Sequence, residues 1–81
     1  MAPAGNSDQV RNQVREMRIE RRFTQEDLGA AVGLTRQSIL AIEKGRFTPS
    51  IHTALMLAQA LGVSVDQIFW LVDEESKEDD S

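Results

Sequence analysis

The sequence predicts an all-α domain of five short helices. Three observations carry that prediction. Cap residues paired with an apolar staple recur at helix starts. Glycines fall just past several of the expected helix ends. Between them, apolar residues recur at three- to four-residue spacing, and no alternating strand pattern competes outside the C-terminal stretch. The chain has 81 residues, enough for one domain with a modest core. Domains this small are often marginal alone, so association with a partner is a reasonable expectation.

The first helix is expected over residues 9–22, with Val10, Val14 and Met17 on one stripe and Ile19 near its edge. Thr24 can cap the second helix, 25–32, with Asp27 three residues on and Phe23 placed to staple onto Leu28. Thr35 can cap the third, 36–44, with Leu34 stapling onto Ile39. Ser50, after Pro49, opens the fourth, 51–61, which carries Ala54, Leu55, Leu57, Ala58 and Leu61. Ser64 can cap a last helix, 65–70, with Gln67 completing a capping box and Val63 meeting Ile68. Gly33, Gly45 and Gly62 lie where helices commonly end in a left-handed residue. The pattern leaves room for a short C-terminal strand at 70–73. Residues 1–8 read as a flexible N-terminus, 9–72 as the folded domain and 73–81 as an acidic flexible tail.

Several function classes drop out on composition. There is no cysteine and only one histidine, His52, so neither a disulfide framework nor a metal centre is expected. The longest apolar run, Ile68–Val72, is far too short to cross a bilayer. The opening residues MAPAGNSDQV lack the basic start and apolar segment of a signal peptide, which makes a cytoplasmic location the default. No base or nucleophile pair stands out: His52 reads as a surface or interface residue, and Ser38, Ser50 and Ser64 as helix-start residues. No glycine loop suited to phosphate is present. A non-enzyme with no cofactor and no small-molecule ligand is expected.

The net charge of −4 argues against a nucleic-acid partner only until its distribution is read. Residues 1–50 hold eight Lys/Arg and six Asp/Glu, for +2; residues 51–81 hold one Lys and seven acids, for −6. Six of those acids lie in the last nine residues, DEESKEDDS. The charge on a binding face matters more than the total.

The stretch Gln25–Lys44, QEDLGAAVGLTRQSILAIEK, holds most of the functional information. Gly29 falls where the second and third helices must approach, and a side chain there would hold them apart. Gly33 supplies the turn. Leu28, Val32, Leu34, Ile39 and Ile42 form the shared apolar core of the pair. At 100° per residue, Arg36, Gln37, Leu40, Ala41 and Lys44 then fall within one outward arc of roughly 140°. Arginine can grip guanine through two hydrogen bonds in the major groove, glutamine can do the same for adenine, and alkyl groups can meet a thymine methyl. An exposed Leu40 beside Ala41 makes little sense on a merely solvated face.

The segments REMRIERRFTQEDLGAAVGLTRQSILAIEKGRFTPS and LAQALGVSVDQIF resemble the Cro/C1-type helix-turn-helix family, also called the xenobiotic-response-element family, over residues 12–72. The chain is most similar to short stand-alone repressors of the cytolysin-repressor type. The resemblance implies a lambda-repressor-like five-helix bundle, a homodimer, and an operator of double-stranded DNA read by the third helix. For this motif the half-sites lie about 34–36 Å apart or a multiple of that. It implies base-reading roles for Thr35, Arg36 and Gln37. Ala41 occupies a position often held by a polar reader, which narrows direct readout there. Gln25 matches a position that often contacts a phosphate, and Lys44 and Arg46 suit the same task. The loop Gly45–Ser50 is shorter than in some phage repressors, leaving Arg46 and Thr48 as its contacts. The resemblance also pairs Glu43 with Arg18, a structural role that keeps the carboxylate from repelling phosphates.

Ile68, Phe69, Trp70, Leu71 and Val72 offer more apolar surface than a small monomer can cover, which points to a homodimer contact. Two other readings of the chain stay open. One is an antitoxin using the same DNA-binding domain. The other is a protein-interaction module that kept the fold but lost DNA binding, which the acidic tail favours and Arg36, Gln37, Lys44 and Arg46 oppose.

Overall fold

The structure, a computed structural model, describes residues 10–72. The expected flexible N-terminus, 1–8, and acidic tail, 73–81, lie outside the described residues. The order of elements is β1 (Val10–Asn12), α1 (Val14–Glu20), α2 (Gln25–Val32), α3 (Arg36–Glu43), α4 (Ile51–Leu61), α5 (Val65–Ile68) and β2 (Phe69–Leu71). Five helices surround one core, and the two strands form a small antiparallel sheet with Val10 opposite Leu71, Arg11 opposite Trp70 and Asn12 opposite Phe69.

Each helix contributes to the core. Val14 of α1, Leu28 and Val32 of α2, Ile39 and Ile42 of α3, Leu57, Ala58 and Leu61 of α4, and Ile68 of α5 are all buried. Met17, Phe23, Leu34, Val63 and Phe69 pack against them. Burying an aliphatic side chain of this size contributes about 1.5–3 kcal/mol. The two isoleucines of α3 therefore seat that helix firmly.

The expected side-chain caps of α2, α3 and α4 form, while at α5 Ser64 Oγ accepts no backbone N–H. Thr24 Oγ1 accepts from the Asp27 N–H while an Asp27 carboxylate oxygen accepts from the Thr24 N–H. Thr35 and Ser50 accept from the N–H groups of Ser38 and Thr53. Gln67 Oε1 accepts from the Ser64 N–H. The left-handed residue that ends α2 is Gly33, at φ 75°.

Three expectations need correction. The first helix does not span 9–22: it starts at Val14 and ends at Glu20, and residues 10–12 are a strand. Their partner lies 59 residues further along the chain, so local periodicity cannot reveal it. Asn12 also ends the strand, because its side-chain oxygen accepts from the Val14 N–H. Second, the last helix stops at Ile68 instead of residue 70, and the C-terminal strand begins one residue early, at Phe69. Third, Ile68 is fully buried and is lost to any surface contact. On α4, Leu57, Ala58 and Leu61 are buried while Leu55 is 55% exposed.

One turn was not foreseen. Arg22 is left-handed, at φ 64°, and ends α1 as a glycine usually would. The Phe23 N–H donates to the Arg18 carbonyl and the Arg22 N–H to that of Ile19, closing the turn.

Gly29 is tighter than expected, and for a different reason. A Cβ built there would lie 2.5 Å from the Leu34 carbonyl oxygen. The obstacle is the backbone of the turn leading into α3, which has little freedom to move. In Gly29→Ala, alanine's gain in helix propensity of about 1 kcal/mol is outweighed by overpacking of about 1–3 kcal/mol. Urea unfolding should show a net loss of stability; an unchanged or raised midpoint would contradict the close approach.

Candidate nucleic-acid interface

Packing decides which side of α3 can face a ligand. Ile39 and Ile42 point into the core, which turns Arg36 and Gln37 to the exposed side of the first turn and Lys44 to the exposed C-terminal end. Leu40 and Ala41 are half-buried between them. Thr35 is exposed at the helix start, but its hydroxyl is engaged: it accepts from the Ser38 N–H at 3.0 Å and lies 3.1 Å from Ser38 Oγ. Arg46 and Thr48 are exposed in the loop that follows.

Behind this face lies a polar brace. Arg18 Nε donates to Glu43 Oε2 at 2.6 Å, and the two side chains are only 11% and 2% exposed. Arg18 Nη1 donates to the Phe23 carbonyl at 2.9 Å. Gln25 Nε2 donates to the other carboxylate oxygen of Glu43 at 3.1 Å. One carboxylate thus joins α1, the start of α2 and the end of α3. Its charge is turned inward and neutralised, so it does not confront an approaching phosphate. Gln25 spends one amide hydrogen on this brace. Its second amide hydrogen has no partner among the described residues.

Asn12 is a residue that positions α3, and the sequence reading missed it. Its Nδ2 donates to the Ile42 carbonyl at 2.9 Å, tying the strand β1 to the last turn of α3. The Gln13 N–H donates to the Ile68 carbonyl, and Gln13 Nε2 to that of Gln67. The usable signal was Asn12 itself, a side chain that favours helix starts over helix interiors.

A helix pair closed by a glycine turn, with a second helix whose guanidinium, amide and ammonium groups all face outward, is the geometry of a major-groove reader. The helix-turn-helix family model matches residues 14–68. The chain belongs to this Cro/C1-type helix-turn-helix family. YgzD, an uncharacterised HTH-type transcriptional regulator of Bacillus subtilis, is 42% identical over 65 residues, covering 80% of this chain and 98% of its own. The RstR transcriptional repressor of the cryptic phage CTXphi, from Vibrio cholerae, is 32% identical over 57 residues, covering 70% of this chain and 51% of its own. Among solved structures, the restriction-modification controller protein C.AhdI of Aeromonas hydrophila is similar at a TM-score of 0.63 and 31% identity, covering 67% of this chain and 82% of that one. The protein is a DNA-binding transcriptional regulator of this family and not an enzyme.

Other features of the surface lie apart from the reading face. An open groove of about 850 Å³ between α4 and α5 is lined by His52, Leu55, Met56 and Gln59 of α4 and by Val65 and Asp66 of α5. Among the described residues no group of His, Cys, Asp and Glu side chains could hold a metal ion, and no helix is long and apolar enough to cross a membrane.

The brace has a measurable consequence. Glu43→Leu leaves Arg18 charged, nearly buried and without its partner, which should cost about 3 kcal/mol. Replacing both residues, as Arg18→Met with Glu43→Leu, removes the stranded charge and should recover much of that loss. Thermal unfolding of the two single variants and the double variant reads the coupling. Additive losses would show that the two residues do not act as a unit.

Proposed function

We propose that this regulator is a homodimeric repressor that reads an operator of double-stranded DNA through α3 and acts in the cytoplasm. The observation that carries this reading is the outward face of α3. Arg36 and Gln37 stand exposed on a helix whose opposite side is fixed by Ile39, Ile42 and the Glu43 brace. Rigid seating matters because bidentate readout tolerates little misplacement of the side chain. Arg36 and Gln37 read bases. Leu40, Ala41 and the Thr35 methyl offer apolar contact to thymine. Lys44, Arg46, Thr48 and the start of α2 at Gln25 hold phosphates. The repressor role draws support from the phage repressor among the relatives.

A dimer supplies the second half-site. The surface for it is β2 and its continuation: Trp70 is 44% exposed and Leu71 60% exposed, with Phe69 and Val72 half-buried beside them. Adjacent strand residues point to opposite faces, so Trp70 and Leu71 expose apolar surface on both sides of β2, whose outer edge has no strand partner among the described residues. Sedimentation at tens of micromolar should give a dimer mass, and Leu71→Asp should shift it to a monomer without unfolding the domain. A monomer mass for the unmodified protein at that concentration would remove this part of the reading.

Selection of bound sequences from a random DNA pool tests the readout. Arg36→Ala should lose discrimination at one base position in each half-site, a cost of about 1–3 kcal/mol. Lys44→Ala should weaken all sequences alike and reduce the salt slope by about 1. With about six phosphates neutralised by a dimer, that slope is near −5 on a log–log plot. An unaltered base preference in Arg36→Ala would refute the assignment of that residue.

A further inference from the structure

Helix α1 divides its charges between two edges. At about 100° per residue, Arg15 lies about 60° from Arg18 around the helix, while Glu16 and Glu20 each lie about 160° from it. Val14, buried in the core, sits about 40° from Arg18 on the side away from Arg15. The Arg18 side chain is held on Glu43, at the end of α3. The cationic edge of α1 is therefore the one turned towards the end of α3, and the acidic edge is turned away from it.

Two arginines flank the brace without taking part in it. Arg15 lies one turn before Arg18, with its Cβ about 5–6 Å from that of Arg18. Arg22 follows α1, in the turn whose Phe23 carbonyl accepts from Arg18 Nη1. Both are exposed, and among the described residues neither side chain makes a salt bridge or a hydrogen bond. Arg21, beside Arg22, differs. Its Nη1 lies 3.4 Å from Glu20 Oε1 and 3.7 Å from Met17 Sδ, which draws it towards the acidic edge.

The backbone at Arg22 adds an independent observation. Its φ of 64° is left-handed, a conformation that is free of steric cost for glycine but not for a residue with a Cβ. Its N–H donates to the Ile19 carbonyl, which any residue could do. No contact among the described residues accounts for a guanidinium at this position.

We propose that Arg15 and Arg22, on either side of the Arg18–Glu43 brace, bind DNA phosphates outside the stretch that α3 reads. The proposal rests on the reading of α3 as the DNA-contacting helix. Lys44 and Arg46 add exposed cations just past the end of α3. The carboxylate between the two groups, that of Glu43, is 2% exposed and paired, so it does not repel a phosphate there. Guanidinium groups meet phosphate oxygens through paired hydrogen bonds, and such contacts add affinity without regard to base sequence. Their contribution comes from counterion release and therefore appears in the salt dependence.

Variants of the full chain test this by fluorescence anisotropy on a random-sequence duplex of about two helical turns, over a range of salt. Arg15→Gln and Arg22→Gly should each weaken binding about tenfold at about 0.1 M salt and lower the log–log slope by about 1 per bound domain. Arg22→Gly should at the same time unfold at a higher urea concentration, because glycine relieves the left-handed residue. Affinity lost while stability is gained separates a contact with DNA from support of the fold. Arg21→Gln removes an equal charge from the other edge and should leave the slope unchanged, whereas Lys44→Ala reports on α3 itself. A lowered slope in Lys44→Ala with either arginine variant unchanged would overturn the two-sided site and leave α3 as the contact. An equal fall in Arg21→Gln would reduce the effect to net charge and sink the proposal too. A lower urea midpoint in Arg22→Gly would mean that its side chain supports the fold, removing Arg22 from the site. An unchanged slope in Lys44→Ala would count instead against the reading of α3.

Discussion

The Glu43 carboxylate is the point on which the reading surface depends. It sits at the C-terminal end of α3, accepts from Arg18 of α1 and from Gln25 of α2, and is 2% exposed. An isolated charge in that position would be strongly unfavourable. Here both oxygens have donors, and Arg18 makes a second bond to the Phe23 carbonyl. A pair of this kind contributes less to net stability than its geometry suggests, because desolvation offsets much of the attraction. Its effect is on arrangement. The three helices are joined at one group, and a shift of any of them would strand a charge.

Apolar packing and the polar brace divide the work on α3. Ile39 and Ile42 fix the distance of the helix from the core and its rotation about its own axis. Glu43 and the bond from Asn12 to the Ile42 carbonyl fix its far end. The Gly29 contact with the Leu34 carbonyl fixes its near end, where Thr35 and Arg36 emerge. Arg36, Gln37 and Lys44 are thus exposed side chains on an immobilised backbone. That combination favours specific recognition, since the cost of orienting the helix is met in folding and not at the moment of binding.

The charge layout follows the same division. The first fifty residues are net positive, and the Glu43 carboxylate at the end of α3 is paired internally with Arg18. The negative charge is gathered beyond β2, at the end of the chain. A total of −4 therefore says little about the field that DNA would meet.

Much of the fold was legible in the sequence because its signals are local. Thr24 with Asp27, Thr35, Ser50 and Gln67 form their bonds within three residues, and Gly33 ends α2 by its own backbone freedom. The outward arc of α3 follows from the helical period once Ile39 and Ile42 are assigned to the core. The Arg18–Glu43 contact came from family resemblance, since nothing in a separation of 25 residues marks two charges as partners. What only the tertiary structure decided is non-local. Val10–Asn12 forms a strand because Phe69–Leu71 lies beside it, and a helical stripe through Val10 and Val14 gave no hint of that. The Asn12 side chain bonds α3 from that sheet, and Leu55 is left exposed because no element among the described residues covers it. The sequence by itself determined where helices begin and which face of α3 turns outward, through capping and periodicity acting over a few residues. The tertiary structure decided how that face is held, because a buried charge and a strand each need a partner that the chain supplies from far away.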